Sequence, residues 1–173
     1  MNRKKRDNRG LSLIELIVVV AILGILSVGS ISYLGLLSNH SAKETSAKLK
    51  SAMTETRTEA MSKSSASLQI YEDDSEYYVK LTVNGNAHQP VKIGSARVKL
   101  TYKKSNEPDN TYDVPNVTST EPLVIEFDRD TGAFKHIGIV GADKVYCKSI
   151  TVAAGSKTYV LKCERLTGKI IVE

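Results

Sequence analysis

The chain has 173 residues, 41% of them apolar, with 8 Tyr, 2 Phe and no Trp. That length suits one anchor and one small core, and excludes a large enzyme built around a deep cleft. The formal charge of +5 is set mostly by residues 1–10; without them 19 basic residues stand against 18 acidic ones, so the chain is not basic throughout.

The first ten residues carry Arg3, Lys4, Lys5, Arg6 and Arg9 against Asp7 and end in Gly10. A positive flank of this kind stays in the cytoplasm while the part that follows crosses. From Leu16 to Asn39 there is no formal charge. Those 24 residues would make about 36 Å of helix, enough for a hydrocarbon core of ~30 Å. A secretory signal has a shorter apolar region, of ~7–15 residues. An uncleaved single-pass anchor is the plainer alternative.

Glu15 is the one charge in the apolar run that follows Gly10. A carboxylate at membrane depth costs roughly 2.5–3.5 kcal/mol and calls for a partner. Glycine lacks a side chain and breaks the helix, which exposes the Gly10–Leu11 bond to a protease. A cut there gives Leu11 a free amine one helical turn from Glu15. Such a pair in low dielectric favours one axial register between helices.

Residues 42–61 keep a helical period, with Ala42, Leu49, Met53 and Ala60 on one narrow face. Thr45, Thr54, Thr56 and Thr58 lower the intrinsic propensity, so packing must supply much of the stability. The expected helix runs from about Leu11 to about Lys63 and stops in the Ser-rich stretch Ser62 to Ser67.

Beyond Ser67 the period changes to two. Residues 68–72 and 76–83 flank the turn Glu72-Asp73-Asp74-Ser75, and Asn84-Gly85-Asn86 is a second turn. Ala96 to Tyr102 alternates. Residues 105–122 hold three prolines and form a long loop. Leu123–Asp128 and Ala133–Val140 are strands. Val145–Val152 and Thr158–Glu164 pair across residues 153–157, and Lys169–Val172 closes the sheet. The fold class is α+β, a long N-terminal helix packed on an antiparallel β domain.

Cys147 and Cys163 each lie eight residues from Gly155. A turn centred there makes them face each other within disulfide range, and an exported domain permits oxidation. Two buried free thiols are the alternative if the register slips by one. His40, His88 and His136 are scattered, and CxxC spacing is absent, so no metal site is expected. Asp128-Arg129-Asp130-Thr131-Gly132 reads as a hairpin turn rather than a calcium loop. Two locally basic segments contain Lys99, Lys103, Lys104, Lys162 and Arg165; they could track a phosphate backbone, or be ordinary solvated strand residues. No catalytic constellation and no cofactor motif stand out.

Gly10-Leu11-Ser12-Leu13-Ile14-Glu15 and the apolar run through Gly24 resemble the class III signal of type IV prepilins and type II secretion pseudopilins. The resemblance implies cleavage between Gly10 and Leu11 by a prepilin peptidase, N-methylation of Leu11, and a role for Glu15 in guiding subunits into a filament. Two residues depart from the usual pattern: Leu11 stands where phenylalanine is common, and Ser32 where many major pilins have a kinking proline. Leu123 to Gly132 and Thr158 to Val172 resemble the C-terminal domain of the GspH/FimT group of minor pilins.

The organisation so implied is a leader over 1–10, a transmembrane and assembly helix over 11–39, its amphipathic continuation over 40–66, and a β domain over 67–173. The implied partners are other pilin or pseudopilin subunits, the prepilin peptidase, the cytoplasmic membrane and an inner-membrane assembly platform. DNA is a further candidate through the link of some such subunits to DNA uptake. The implied location is the cytoplasmic membrane, N-terminus inside, and then a pilus or pseudopilus.

Overall fold

The computed structural model describes residues 12–62, 65–119, 123–137 and 145–173, with the backbone alone for residues 26–37, 136 and 137. Contacts divide the chain into two units, Met1–Leu36 and Leu37–Glu173.

The first unit holds the beginning of α1 (Leu13–Ser62). Ser12 caps it: the Glu15 N–H donates to Ser12 Oγ at 3.2 Å, and the Leu16 N–H to the Ser12 carbonyl at 3.1 Å. The large apolar side chains from Leu13 to Ile25 are exposed on every face, from 50% at Val18 to 77% at Leu13. Among the described residues nothing in this unit covers them. Among the described residues no helix is long and apolar enough to cross a membrane. The uncharged run expected to do so continues through residues 26–37, whose side chains lie outside the described part.

The second unit takes α1 from Leu37 onward together with eleven strands among the described residues. They are β1 (Ala66–Asp73), β2 (Glu76–Val83), β3 (Asn86–Ala87), β4 (Val91–Gly94), β5 (Lys99–Lys104), β6 (Tyr112–Asp113), β7 (Leu123–Phe127), β8 (Phe134–Ile137), β9 (Cys147–Ala154), β10 (Lys157–Glu164) and β11 (Lys169–Val172). Two antiparallel sheets result. One has the order β3-β2-β1-β7-β8, with β4 also on β2; the other has the order β11-β10-β9-β5-β6. The pairings β1·β7 and β5·β9 interleave along the chain, so neither sheet is a contiguous stretch of sequence.

The β1–β2 and β2–β3 connections are two-residue turns, Asp74-Ser75 and Asn84-Gly85. Both central residues of each have positive φ, which matches the twist of a hairpin. Alternation then sends Leu68 and Ile70 of β1, Leu123 and Ile125 of β7, Ile150 and Val152 of β9, and Leu161 of β10 into one core. Ala42, Leu49, Met53 and Ala60 of α1 join that core with at most 1% exposure, as their spacing indicated. Thr45 and Thr56 complete the stripe and are also buried. Each hydroxyl is satisfied, Thr45 Oγ1 donating to the Ile93 carbonyl at 2.9 Å and Thr56 Oγ1 to the Ala52 carbonyl at 2.7 Å.

Three short strands, β3, β4 and β6, were not legible in the sequence. Residues 105–122, expected as loop alone, contain β6 and a bridge between Glu72 and Asn116. The strand expected over Ala133–Val140 is described to Ile137.

Candidate functional site

The residues singled out in the sequence fall in three places: the start of α1, the second sheet with the turn after β10, and the two cysteines.

At the start of α1, Glu15 occupies the first turn, where a carboxylate also complements the helix dipole. Ser12 and Glu15 have capping-box spacing, three residues apart, and the Glu15 N–H is held by Ser12 Oγ. That spacing was visible in the sequence, and its capping role is a residue function that the periodicity argument overlooked. Gly10 and Leu11 lie outside the described residues.

The second sheet does not gather the five basic candidates on one face: Lys104 alternates with buried Leu100 and Tyr102 on β5, and Arg165 lies in the turn after β10. Lys99 and Lys103 lie on β5, and Lys162 on β10. The register sets Lys103 and Lys162 on either side of Ser149. Lys99 Nζ lies 3.3 Å from Asp113, and Lys162 Nζ lies 2.6 Å from Glu173. Lys104 Nζ sits 4.5 Å from the centre of the Tyr112 ring, and the Arg165 guanidinium 5.5 Å from that of Tyr146. Two of the five cations therefore already face carboxylates, and two rest on aromatic rings.

Cys147 and Cys163 are both buried and both free thiols. The turn between β9 and β10 is Gly155-Ser156, and the register pairs Ala154 with Lys157 and Ser149 with Lys162. This corrects the expected centring on Gly155 by one residue, which by itself would set Cys163 against Lys148. A bulge offsets that shift. Against β5, Lys103 pairs with Ser149 and Lys104 with Cys147, so Lys148 is the extra residue. Lys148 is exposed and Cys147 is turned into the core. The two thiols are within hydrogen-bond reach of one another, and Cys147 Sγ lies 3.6 Å from the Ser149 carbonyl. The contact with Cys163, and then burial, push the Cys147 thiol well above its ordinary pKa.

Among the described residues no group of His, Cys, Asp and Glu could hold a metal ion. Asp128 closes its turn as a local acceptor. Its Oδ1 takes hydrogen bonds from the Asp130 N–H at 3.2 Å, the Thr131 N–H at 3.0 Å and the Thr131 hydroxyl at 2.8 Å.

Residues 5–31 match the family model described as the prokaryotic N-terminal methylation motif. The chain carries a type IV prepilin-like signal. The match begins at Lys5, within the basic leader, takes in Gly10, Leu11, Ser12 and Glu15, and reaches into α1. It is consistent with the type IV pilin and pseudopilin superfamily, a structural rather than enzymatic group. A prepilin-type signal implies handling by a prepilin peptidase and contact with other pilins. No curated protein and no solved structure matched the chain.

Proposed function

We propose that this chain is a minor structural subunit of a type IV pilus or a type II secretion pseudopilus, with a priming or tip role. The observation that carries the reading is the junction of two features. A prepilin-type signal over residues 5–31 leads into a helix that is apolar and exposed on all faces over Leu13–Ile25. The same helix ends in a β unit with its own core. A chain so built has an assembly segment that needs cover from outside and a head that does not.

In this reading residues 11–39 hold the precursor in the cytoplasmic membrane, with the β domain outside. The prepilin peptidase cuts after Gly10 and methylates Leu11. The helix then leaves lipid for a bundle of subunit helices, where the Leu11 amine and Glu15 set the register. Outside the cytoplasm Cys147 and Cys163 close a disulfide, which the Lys148 bulge favours by turning Cys147 inward, to the side that Cys163 already faces. A DNA-uptake role has weaker support, because Lys99 and Lys162 already face Asp113 and Glu173.

Intact mass of protein from sheared surface filaments, beside the membrane fraction, tests the reading. Loss of residues 1–10 together with recovery in filaments supports it. A full-length mass confined to membranes overturns it in favour of a plain anchored domain.

A further inference from the structure

Of the three methionines, Met1 lies in the leader, and Met53 and Met61 lie on α1. The two on the helix differ in setting. Met53 is 0% exposed and belongs to the core, whereas Met61 is 46% exposed. A thioether is oxidised where an oxidant in solution can reach it, so position alone separates them.

Met61 also stands at a joint. The last turn of α1 carries no basic side chain to meet its open carbonyls. Its hold on the sheets includes Ala60 in the core and, one turn earlier, Arg57, whose Nε donates to the Gly132 carbonyl of the β7–β8 turn. A Cβ at Gly132 would lie 2.7 Å from Met61 Sδ, 2.9 Å from Arg57 Nε and 3.0 Å from Arg57 Nη2. The sulfur thus fills the room that a side chain at 132 would need, beside the guanidinium that holds the same residue. Arg57 and Met61 are four apart in the chain and share a face of the helix. A thioether suits this place, being apolar, polarisable and only a weak acceptor, and it leaves Arg57 to the Gly132 carbonyl. A sulfoxide is polar and accepts hydrogen bonds through its oxygen.

We propose that Met61 is an oxidant-sensitive modification site, and that its sulfoxide loosens the joint between the end of α1 and the β7–β8 turn. The co-reactant is a peroxide. Its O–O bond breaks, one oxygen joins Met61 Sδ, and the other leaves as water. The sulfur gives up two electrons and the peroxide takes them. The new oxygen stands on the sulfur beside Arg57 and competes with the Gly132 carbonyl for the guanidinium. A methionine sulfoxide reductase reverses the step with electrons from a dithiol, so the joint can be restored. The site rests on exposure and packing alone; that the head meets oxidant outside the cytoplasm rests on the filament reading.

The test treats the full-length chain in detergent with graded hydrogen peroxide, then digests it with trypsin. Met53 falls in residues 51–57 and Met61 in residues 58–63, so each is read on its own peptide. Met61 sulfoxide should form at least about tenfold faster than Met53 sulfoxide in the folded chain, and at the same rate in denaturant. The oxidised chain should unfold at a lower denaturant concentration, and methionine sulfoxide reductase should restore the transition. Met61→Leu should show no such shift after the same treatment. It keeps both cysteines, so a shift caused by thiol oxidation would appear there too. In Arg57→Ala the shift should shrink to less than half, because the competed bond is already gone. Equal rates at Met53 and Met61 in the folded chain overturn the site. Fast oxidation of Met61 with an unmoved transition, or the same shift in Met61→Leu, overturns the loosening, and a full shift in Arg57→Ala overturns the competition for Arg57. The two rates need no variant, so they decide the site even where a variant fails to fold. A full-length chain confined to membranes overturns the filament reading and leaves these rates as they are.

Discussion

Arg57 of α1 donates from Nε to the carbonyl of Gly132 at 3.0 Å, joining the helix to the β7–β8 turn 75 residues further along. Gly168, in the β10–β11 turn, packs against the same point. A Cβ on Gly168 would lie 1.8 Å from the Gly132 oxygen and 2.8 Å from Arg57 Nε. The helix and a turn from each sheet meet at this one guanidinium.

Arg57→Ala should lower stability by about 1.5–3 kcal/mol, the range for a hydrogen bond from a charged group. Arg57→Lys should recover only part, because an ammonium lacks the planar fork. Gly168 has φ +63. Gly168→Ala should therefore cost more than the roughly 1–2 kcal/mol of a left-handed alanine, since the clash adds to the strain. Denaturant titration of the full chain in detergent reads all three.

Thr45→Val removes the donor to the Ile93 carbonyl at a buried site. The expected loss is about 1–3 kcal/mol, the cost of leaving a buried acceptor unmet. Thr45→Ser keeps the hydroxyl and should lose less. Equal melting temperatures for the wild type and Thr45→Val would contradict the bond.

Glu15→Gln should be processed after Gly10 yet fail to enter filaments. Normal filament content of that variant would remove Glu15 from register setting. Ser12→Ala acts differently, fraying the start of α1 by about 1 kcal/mol. Circular dichroism of the chain in micelles should show a small loss of helix.

The Glu76 carboxyl is held below its ordinary 4.5 by hydrogen bonds from Lys92 and, next, from Tyr78. The Tyr78 hydroxyl donates to it at 3.0 Å, and Lys92 reaches its other oxygen. A carboxyl whose pKa is depressed on folding stabilises above its unfolded value and loses that contribution as pH falls through the folded one. Both Glu76 and Lys92 are partly solvated, so the effect is modest and screened by salt. The melting gap between the wild type and Glu76→Gln should be open at pH 7 and should close as pH falls below 4.5.

Cys147 should resist alkylation in the folded chain, being buried and kept protonated by Cys163 and its apolar setting. Both thiols should label on unfolding under reducing conditions. Material taken from outside the cytoplasm should show a mass lower by two hydrogens that reductant restores. Free thiols in that material would remove the proposed disulfide.

The helix, the β hairpins and the α1 stripe were legible because each follows a period that residue type alone reveals. Ala42, Leu49, Met53 and Ala60 could be read off, but Thr45 and Thr56 were set aside as weak helix formers. Their burial depends on the Ile93 and Ala52 carbonyls, and Ile93 belongs to a strand, β4, whose existence depends on pairing with β2. The cysteine pairing was read from a strand register that was wrong by one residue. It was offset by a bulge at Lys148, which no local pattern announces, since a bulge reports on the partner strand. The part Arg57 plays does not show in helical spacing, because its acceptor is a backbone carbonyl far along the chain. At the start of α1 the Ser12–Glu15 spacing is local, but an argument from apolar periods passes over it.

The interleaving of β1·β7 with β5·β9 bears on how the domain forms. β1 must wait for β7, more than fifty residues later, and β5 for β9. No break between residues 73 and 147 leaves a half that holds both members of any pair bridging the gap. These two pairings are accordingly non-local, and slower to form than the hairpins around them. The core cannot be completed until Cys147–Ala154 has been made, because Ile150 and Val152 belong to it.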